Sequence, residues 1–264
     1  MTGTEQVFVA EGFTPPGPGD FNLPPIFGNS IVFSKPALQL VLAAALVFGF
    51  FMVTSRRMAM VPSRGQYLGE QAYGFVRNTM ARDVIGSKDF LKFVPVLVAT
   101  FFFILVNNLF GIIPFVQFPT FSRSGYVYGL AGLVWLLYNG IGIWKHGVLG
   151  YLKHVTVPAG IRGPILIILA PLEFLSTVIV RPLTLSWRLL FNMFAGHLLL
   201  LLFTLGGEYL LVEADKLLYK GVGILTIVMA LAISFLEVFV QIIQAFVFTL
   251  LTAIYISGAL AEEH

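Results

Sequence analysis

The chain has 264 residues, of which 58% are hydrophobic and 11% charged, whereas soluble domains carry about 25% charged residues. This composition predicts an integral membrane protein and excludes a disordered chain, a solvated nucleic-acid binder and a disulfide-stapled secreted module. With no cysteine, the chain offers no thiol catalysis, zinc-thiolate site or iron-sulfur cluster.

Residues 1–34 form the first predicted unit. They contain Glu5, Glu11 and Asp20 but no Lys or Arg, so they lack the basic region with which a cleavable signal peptide begins. We interpret them as an extramembrane N-terminal segment, and residues 35–264 as a single membrane domain.

Five hydrophobic runs follow, each compatible with crossing a hydrocarbon core of about 30 Å as a helix. The last two are about twice as long as a bilayer requires, so they must tilt or bend. The predicted fold class is an all-α polytopic membrane protein with about five crossings and two long tilted C-terminal helices. A break at Pro182 would instead give six crossings. The runs cover residues 37–54, 93–118, 126–144, 164–205 and 217–260.

The loop between the first two runs, residues 55–92, concentrates positive charge and is therefore predicted to be cytoplasmic. It mixes these cations with apolar residues such as Tyr67 and Phe75, which favours an amphipathic helix on the membrane surface. The connection at 206–216 is mostly acidic and suits the opposite side, so charge placement favours five crossings, an outside N-terminus and a cytoplasmic C-terminus. The cations are Arg56, Arg57, Arg64, Arg77, Arg82, Lys88 and Lys92.

Ionisable side chains occur within the last two runs, where each costs at least ~2.5 kcal/mol at membrane depth and usually marks an ion pathway. Arg181 has a second interpretation, because beside Pro182 it can extend to the membrane interface as an anchor. The ionisable set is Glu173, Arg181, Arg188, His197 and Glu237, accompanied by Asn192, Gln241, Gln244 and Tyr255.

Arg188 carries a permanent positive charge, because a guanidinium does not deprotonate in a protein. Such a charge can hold a carboxylate of a neighbouring protein ionised and repel a passing proton. The alternative is a buried ion pair with Glu173 or Glu237. Asn192 lies one turn further on the same face and could hydrogen-bond the same partner.

His197 lies nine residues after Arg188, about 180° around a straight helix, so the two should face different compartments. Histidine and a carboxylate are suited to relaying protons, which links His197 with Glu237. Gln241 and Gln244 follow Glu237 at i+4 and i+7 and form one polar stripe, to which Tyr255 returns. This stripe could line a hydrated path or hold helices together, and His197 could likewise be a hydrogen-bonded bundle residue.

No glycine-rich phosphate loop, HExxH or GxSxG motif occurs in the sequence, so we expect no cofactor, no metal and no enzymatic activity of the chain by itself. Two other classes are considered. A secondary transporter would also hold charges at the membrane midplane, but it typically has two related halves, and we find no internal repeat. A structural scaffold would leave the isolated arginine unexplained.

The segment RPLTLSWRLLFNMFAGHLLL at 181–200 resembles the signature of subunit a of rotary ATP synthases, the stationary proton-channel subunit beside the c-ring. NNLFGIIP at 107–114 and QAFVFTLLTAIYISGAL at 244–260 are similar to further segments of that family. The resemblance covers nearly the whole chain from about residue 35.

This resemblance implies roles for particular residues. Arg188 would be the essential arginine, Asn192 the asparagine after it, and Gln244 the last-helix glutamine that faces it. His197 and Glu237 fall at two positions where relatives carry one histidine and one glutamate. Glu173, Gln241, Tyr255 and Asn108 would be further candidates for the proton path.

The sequence departs from the family pattern at two places. Phe191 stands where many relatives have a small residue, and Glu173 lies one residue further from Pro182 than the comparable acid. The resemblance further implies two half-channels that exchange protons with c-ring carboxylates, c-ring and b-type peripheral stalk subunits as partners, and a bacterial plasma membrane as location.

Overall fold

The computed structural model describes residues 13–17, 19, 34–56, 59–87, 89–113, 118–157, 165–213 and 216–261. Within them the chain is helical, with no strand. The helices are α1 (Lys35–Ser55), α2 (Arg64–Phe75), α3 (Phe90–Phe110), α4 (Ser124–Thr156), α5 (Leu166–Leu175), α6 (Arg181–Val212) and α7 (Leu217–Leu260).

Five helical paths in the described residues are long and apolar enough to cross a membrane, which confirms the predicted all-α polytopic fold. The fourth joins α5 to α6 through a π-helical segment, Ser176–Val180, and runs from Leu166 to Val212. Pro182 lies in the first turn of α6, where its missing N–H is tolerated. The helix therefore continues past Pro182, and the break required for six crossings is absent.

Three helix ends differ from the predicted runs. α6 continues to Val212, seven residues beyond residue 205, so most of the predicted connection 206–216 is helical. α3 ends at Phe110, well before residue 118, because Pro114 cannot continue a helix and disfavours helical geometry at the residue before it. α4 continues to Thr156, well beyond residue 144, across a kink at Gly147 with φ 70° and ψ 165°. That backbone conformation is accessible essentially to glycine alone. Gly147 therefore permits a sharp change in the direction of the helix axis, and the chain is helical on both sides of it.

The helix predicted in the loop 55–92 is present as α2, which Ser63 caps by accepting a hydrogen bond from the N–H of Gln66. A π-helical segment, Val76–Arg82, extends it. In this segment Val76 and Met80 are fully buried and belong to the main hydrophobic core. The loop therefore contributes to the bundle as well as presenting its cations.

α6 and α7 pack along most of their lengths in an antiparallel arrangement. Three contacts define the register, and they join Gly196 to Glu237, Gly207 to Ile227, and Leu211 to Gly223. Small residues at such positions let two membrane helices approach closely. α3 and α4 pack against α7, whereas α1 packs mainly on α3 and α2.

Parts of the predicted topology lie outside the described residues. The N-terminal segment 1–34 is described only at 13–17, 19 and 34, where the ring of Phe13 lies 5.5 Å from that of Tyr209. The C-terminal residues Glu262, Glu263 and His264 are outside them as well.

Candidate functional site

Arg188 lies on an exposed stripe of α6, near the middle of its long membrane path. Among the described residues, no carboxylate oxygen lies within 4.0 Å of its guanidinium. The alternative of an internal pair is therefore wrong for both carboxylates considered, because Glu173 approaches Arg181 instead and Glu237 is hydrogen-bonded to Gln241. The stripe consists of Thr184, Arg188, Phe191, Ala195, Leu199 and Leu202.

Aromatic side chains flank this arginine. Trp187 donates a hydrogen bond from Nε1 to the hydroxyl of Tyr128 at 3.0 Å, and its ring centroid lies 6.2 Å from that of Phe191. Asn192, one turn beyond Arg188, is half-buried. The charge thus sits on an otherwise apolar surface that a second protein or lipid must cover.

A buried polar cluster lies where α7 meets α3. Glu237 is 6% exposed, Gln241 1% and Gln244 7%. Gln241 donates from Nε2 to Oε1 of Glu237 at 3.0 Å, and Asn108 on α3 donates from Nδ2 to the backbone oxygen of Gln241 at 3.2 Å. The structure therefore brings Asn108 together with the polar stripe predicted on the last helix.

His197 lies at the same level of the bundle as this cluster. The preceding residue, Gly196, is so close to Glu237 that a Cβ there would lie 2.9 Å from Oε1. His197 itself is buried, whereas Arg188 is exposed on α6. The structure thus brings His197 to the level of Glu237 and leaves Arg188 outside this group.

The buried cluster retains open hydrogen-bonding capacity. Within the described part of the chain, four of its atoms make no hydrogen bond although they are buried. An unsatisfied buried polar atom lowers the stability of the fold by about 1–3 kcal/mol. Packing between helices alone therefore does not explain why these polar groups are buried. The cluster can hold water or a proton. The atoms are Oε2 of Glu237, Oε1 of Gln241, Nε2 of Gln244 and Oδ1 of Asn108.

A second polar group surrounds a cavity of about 180 Å³ between α4, α5, α6 and the C-terminal end of α7. Arg181 lies 4.0 Å from the Glu173 carboxylate and 5.6 Å from the ring centroid of Tyr255. Tyr138 donates to the backbone oxygen of Thr177 at 2.8 Å, across the π-helical segment. Arg181 is therefore a member of this polar group.

Sequence reasoning missed four polar residues of this cavity, namely Tyr138, Tyr151, His154 and Thr177. The kink at Gly147 turns the end of α4 back so that the ring of Tyr151 lies directly on Gly142, and its hydroxyl donates to Oδ1 of Asn139 at 2.9 Å. The only available signal was a run of hydroxyl and imidazole groups near the end of an apolar helix.

The register between α6 and α7 fixes the height of Arg188. Gly196 on α6 lies opposite Glu237 on α7, and the two helices are antiparallel. Arg188 is eight residues before Gly196, so it lies opposite the residue eight after Glu237, which is Ala245. Arg188 is therefore level with the turn that holds Gln244. At 1.5 Å per residue, Gly196 lies about 12 Å away in one direction and Arg181 about 10 Å in the other. The exposed arginine therefore lies between the level of Glu237 and His197 and the level of Arg181 and its cavity, beside the Gln244 end of the buried cluster.

A family model described as ATP synthase A chain matches residues 37–257. The chain belongs to the family of ATP synthase subunit a. It is 60% identical over 265 residues to the ATP synthase subunit a of Nocardioides sp., an alignment that covers 96% of this chain and 95% of the relative. The corresponding protein of Pseudarthrobacter chlorophenolicus is 47% identical, covering 96% and 95%. That of Streptomyces lividans is 39% identical, covering 98% and 92%.

Membership of the subunit a family confirms the resemblance carried by the three sequence segments. It makes the chain a multi-pass membrane subunit of ATP synthase with a role in the proton-translocating sector, and its family forms a non-catalytic part of that complex. The secondary-transporter and scaffold alternatives are therefore set aside.

Proposed function

We propose that this subunit a provides two half-channels that deliver protons to and from carboxylates of the c-ring, and that Arg188 separates them. The observation that carries the proposal is the exposed arginine with no carboxylate partner in the described chain, at a level between two polar groups. A permanent charge exposed at membrane depth is expensive, so its partner has to come from another protein.

The chemistry of the partner follows from this charge. A ring carboxylate that passes Arg188 is stabilised in its ionised form by the guanidinium. Once it leaves the arginine, the same carboxyl must be protonated, because an unpaired ionised carboxylate facing lipid is strongly destabilised. Rotation of the ring then requires proton exchange on both sides of Arg188, and the arginine keeps protons from passing directly between the sides.

The buried cluster around Glu237 is the proposed outer path. Glu237 and His197 are the proton-exchanging groups at one level, and Asn108, Gln241 and Gln244 supply the open donors and acceptors that a hydrated path needs. Gln244, level with Arg188, ends this path at the ring, with Asn192 beside it on α6.

The cavity around Glu173 is the proposed inner path. Glu173 is its proton-exchanging carboxylate, held near Arg181, and Tyr255 carries the polar lining towards Arg188. This cavity opens at the C-terminal end of α7, which is the cytoplasmic end if the positive-inside rule orients the chain.

The driving energy is electrical as well as chemical. Each elementary charge that crosses the membrane gains about 2.3 kcal/mol per 100 mV. Several protons for each turn of the ring therefore supply the work of ATP synthesis. The proposed setting is a bacterial plasma membrane, with residues 1–34 outside, residues 35–264 as the membrane domain, a cytoplasmic C-terminus, and b-type stalk subunits holding the chain still.

The test is ATP-driven proton pumping by inverted membrane vesicles that contain Arg188→Ala at the same level of assembled complex as the wild type. We expect pumping to be lost, because the ring carboxylate loses the charge that forces proton exchange. Leu199→Ala, which changes an apolar residue of the same exposed stripe, is the matched control and should pump normally. Normal pumping by Arg188→Ala would overturn the proposed function.

A further inference from the structure

Two histidines that the proposed proton path does not use meet at the end of α4. Their rings are stacked, with centroids 5.0 Å apart and an angle of 10° between the planes. Nε2 of His146 lies 3.2 Å from the backbone oxygen of Ala259, and Nε2 of His154 lies 3.1 Å from that of Gly258. Both rings therefore rest on the last turn of α7.

These contacts fix which ring nitrogen carries hydrogen. A backbone carbonyl only accepts hydrogen bonds, so Nε2 must be the N–H donor in each neutral ring. Nδ1 is then the basic atom, and it can take up a proton while the bond from Nε2 to the helix end persists. Imidazole is the side chain suited to exchanging protons near neutral pH.

The pair lies at the boundary of the cavity. His154 lines it together with Glu173 and Tyr255, and both histidines are half-buried, so they reach from the cavity lining to the surface at this end of the bundle. The kink at Gly147 brings them together, because it lies between them in the sequence.

We propose that His146 and His154 exchange protons between the aqueous surface and the cavity that holds Glu173. This inference rests on the proposed function, since it adds an outer stage to the inner path. In the direction of synthesis, an O–H bond of the protonated Glu173 carboxyl, or of a hydronium in the cavity, breaks and an N–H bond forms at Nδ1 of His154. The ring then gives that proton to water at the surface, directly or through Nδ1 of His146, and returns to its neutral form.

The charges around the pair come from several helices. α5 contributes the Glu173 carboxylate as the internal donor, and α6 contributes the Arg181 guanidinium close to it. α7 contributes the hydroxyl of Tyr255 and the backbone carbonyls at its C-terminal end. α4 itself carries Lys145, Lys153, Tyr138 and Tyr151.

A purely structural role is the competing explanation. Lys145 donates from Nζ to the backbone oxygen of Leu260 at 2.6 Å, so three side chains of α4 contact three consecutive carbonyls at the C-terminal end of α7. The carbonyl of Gly258 also accepts from the N–H of Ala261. A cap of this kind needs a donor, whereas proton exchange needs a basic nitrogen as well. Glutamine keeps a donor and has no titratable nitrogen, so it separates the two roles.

The experiment compares wild type, His154→Gln, His146→Gln and the double variant in inverted vesicles, where the cytoplasmic face meets the medium. ATP-driven pumping is measured from pH 6 to pH 8.5 at matched levels of assembled complex. We expect the double variant to pump at least about threefold more slowly than the wild type and with a flatter pH profile. Added imidazole should restore part of the rate. Lys145→Gln, which changes the same cap outside the cavity, should keep the wild-type profile.

Three results would overturn the inference. The first is wild-type pumping by the double glutamine variant across the pH range. The second is an equal loss with Lys145→Gln, which would make the cap alone responsible. The third is a loss of pumping in His154→Ala together with wild-type pumping in His154→Gln at every pH, because the hydrogen-bond donor alone would then be sufficient. Arg188→Ala is measured in parallel. If it fails to pump while the glutamine variants pump normally, only the histidine inference fails, whereas normal pumping by Arg188→Ala would overturn the proposed function itself.

Discussion

At the scale of single residues, Glu237 has one carboxylate oxygen bonded to Gln241 and the other open within the described chain. Glutamine at this position keeps the shape and can still accept the bond from Gln241, but it cannot carry a proton. We therefore expect Glu237→Gln to assemble normally and to lower the rate of ATP-driven pumping about tenfold or more, in the range of a lost proton-transfer group.

Pumping in inverted vesicles, together with the amount of complex recovered from the membrane, measures this effect. Leu236→Ala, at the exposed neighbouring position of α7, is the control for local disturbance and should leave both quantities unchanged. Wild-type pumping by Glu237→Gln would contradict a role in proton transfer and would mean that the cluster only holds the helices together.

Some of these residue contacts follow from the sequence and others do not. Glu237, Gln241 and Gln244 were predictable as one stripe because a long helix keeps its period of 3.6 residues. The approach of Arg181 to Glu173 was not. In a continuous α-helix, residues eight apart lie about 80° apart around the axis, and the π-helical segment Ser176–Val180 between them changes that angle. Such a segment has no reliable sequence signal.

At the scale of helices, Gly196 determines where the Glu237 carboxylate lies. The atom closest to a Cβ at this position is Oε1 of Glu237, the mobile end of a side chain, so alanine would displace the carboxylate without separating α6 from α7. We expect Gly196→Ala to assemble like the wild type and to pump more slowly, by a factor smaller than that of Glu237→Gln.

Gly207→Ala is the control on the same helix, because its Cβ would meet Cδ1 and Cγ1 of Ile227 at 2.7 and 3.0 Å, so it crowds the same pair of helices without touching a polar side chain. It should assemble and pump normally. If both alanine variants slow pumping equally, the pumping rate depends on the close packing of α6 and α7 and not on the position of the Glu237 carboxylate. Assembly is measured from purified complex and pumping from vesicles.

Helix existence was predictable from hydropathy, whereas three helix ends were not. α6 continues past Gly206, Gly207 and Glu208 to Val212, although these residues interrupt the apolar run. The run around Gly111–Ile113 is apolar, yet the helix stops before it because Pro114 follows. α4 contains several glycines, and the sequence does not indicate that the kink occurs at Gly147. The packing of Tyr151 on Gly142, which accompanies the kink, is visible only in the folded structure. The cavity beside α4 depends on the kink, so it could not be predicted from periodicity.

At the scale of the whole molecule, the exposed stripe of α6 predicts the surface that meets the c-ring. The chain contains no cysteine, so a single introduced thiol has no competitor within it. We expect Phe191→Cys to form a disulfide with a cysteine placed beside the carboxylate of a c subunit, because Phe191 is exposed and lies only about one turn from Arg188 on the same stripe. Oxidative cross-linking in membranes and electrophoresis detect the product.

Phe48→Cys on α1 is the control. Its side chain is also exposed, at 71%, but it belongs to α1, which packs mainly on α3 and α2 and not on α6. It should therefore not cross-link to the ring. Equal cross-linking from both positions, or from Phe48→Cys alone, would contradict the proposed interface.

The steady register between α6 and α7 has a consequence for how this chain can change in evolution. Adding one residue between Arg188 and Gly196 would turn one part of the helix against the other by about 100° and lengthen it by about 1.5 Å, moving the arginine out of line with the contact between Gly196 and Glu237. A change of length in the short connection before Leu217 leaves each helix intact. We therefore expect insertions and deletions to be tolerated in the connection and selected against within the helices, because helix length sets the distance between Arg188 and the contacts of Glu237.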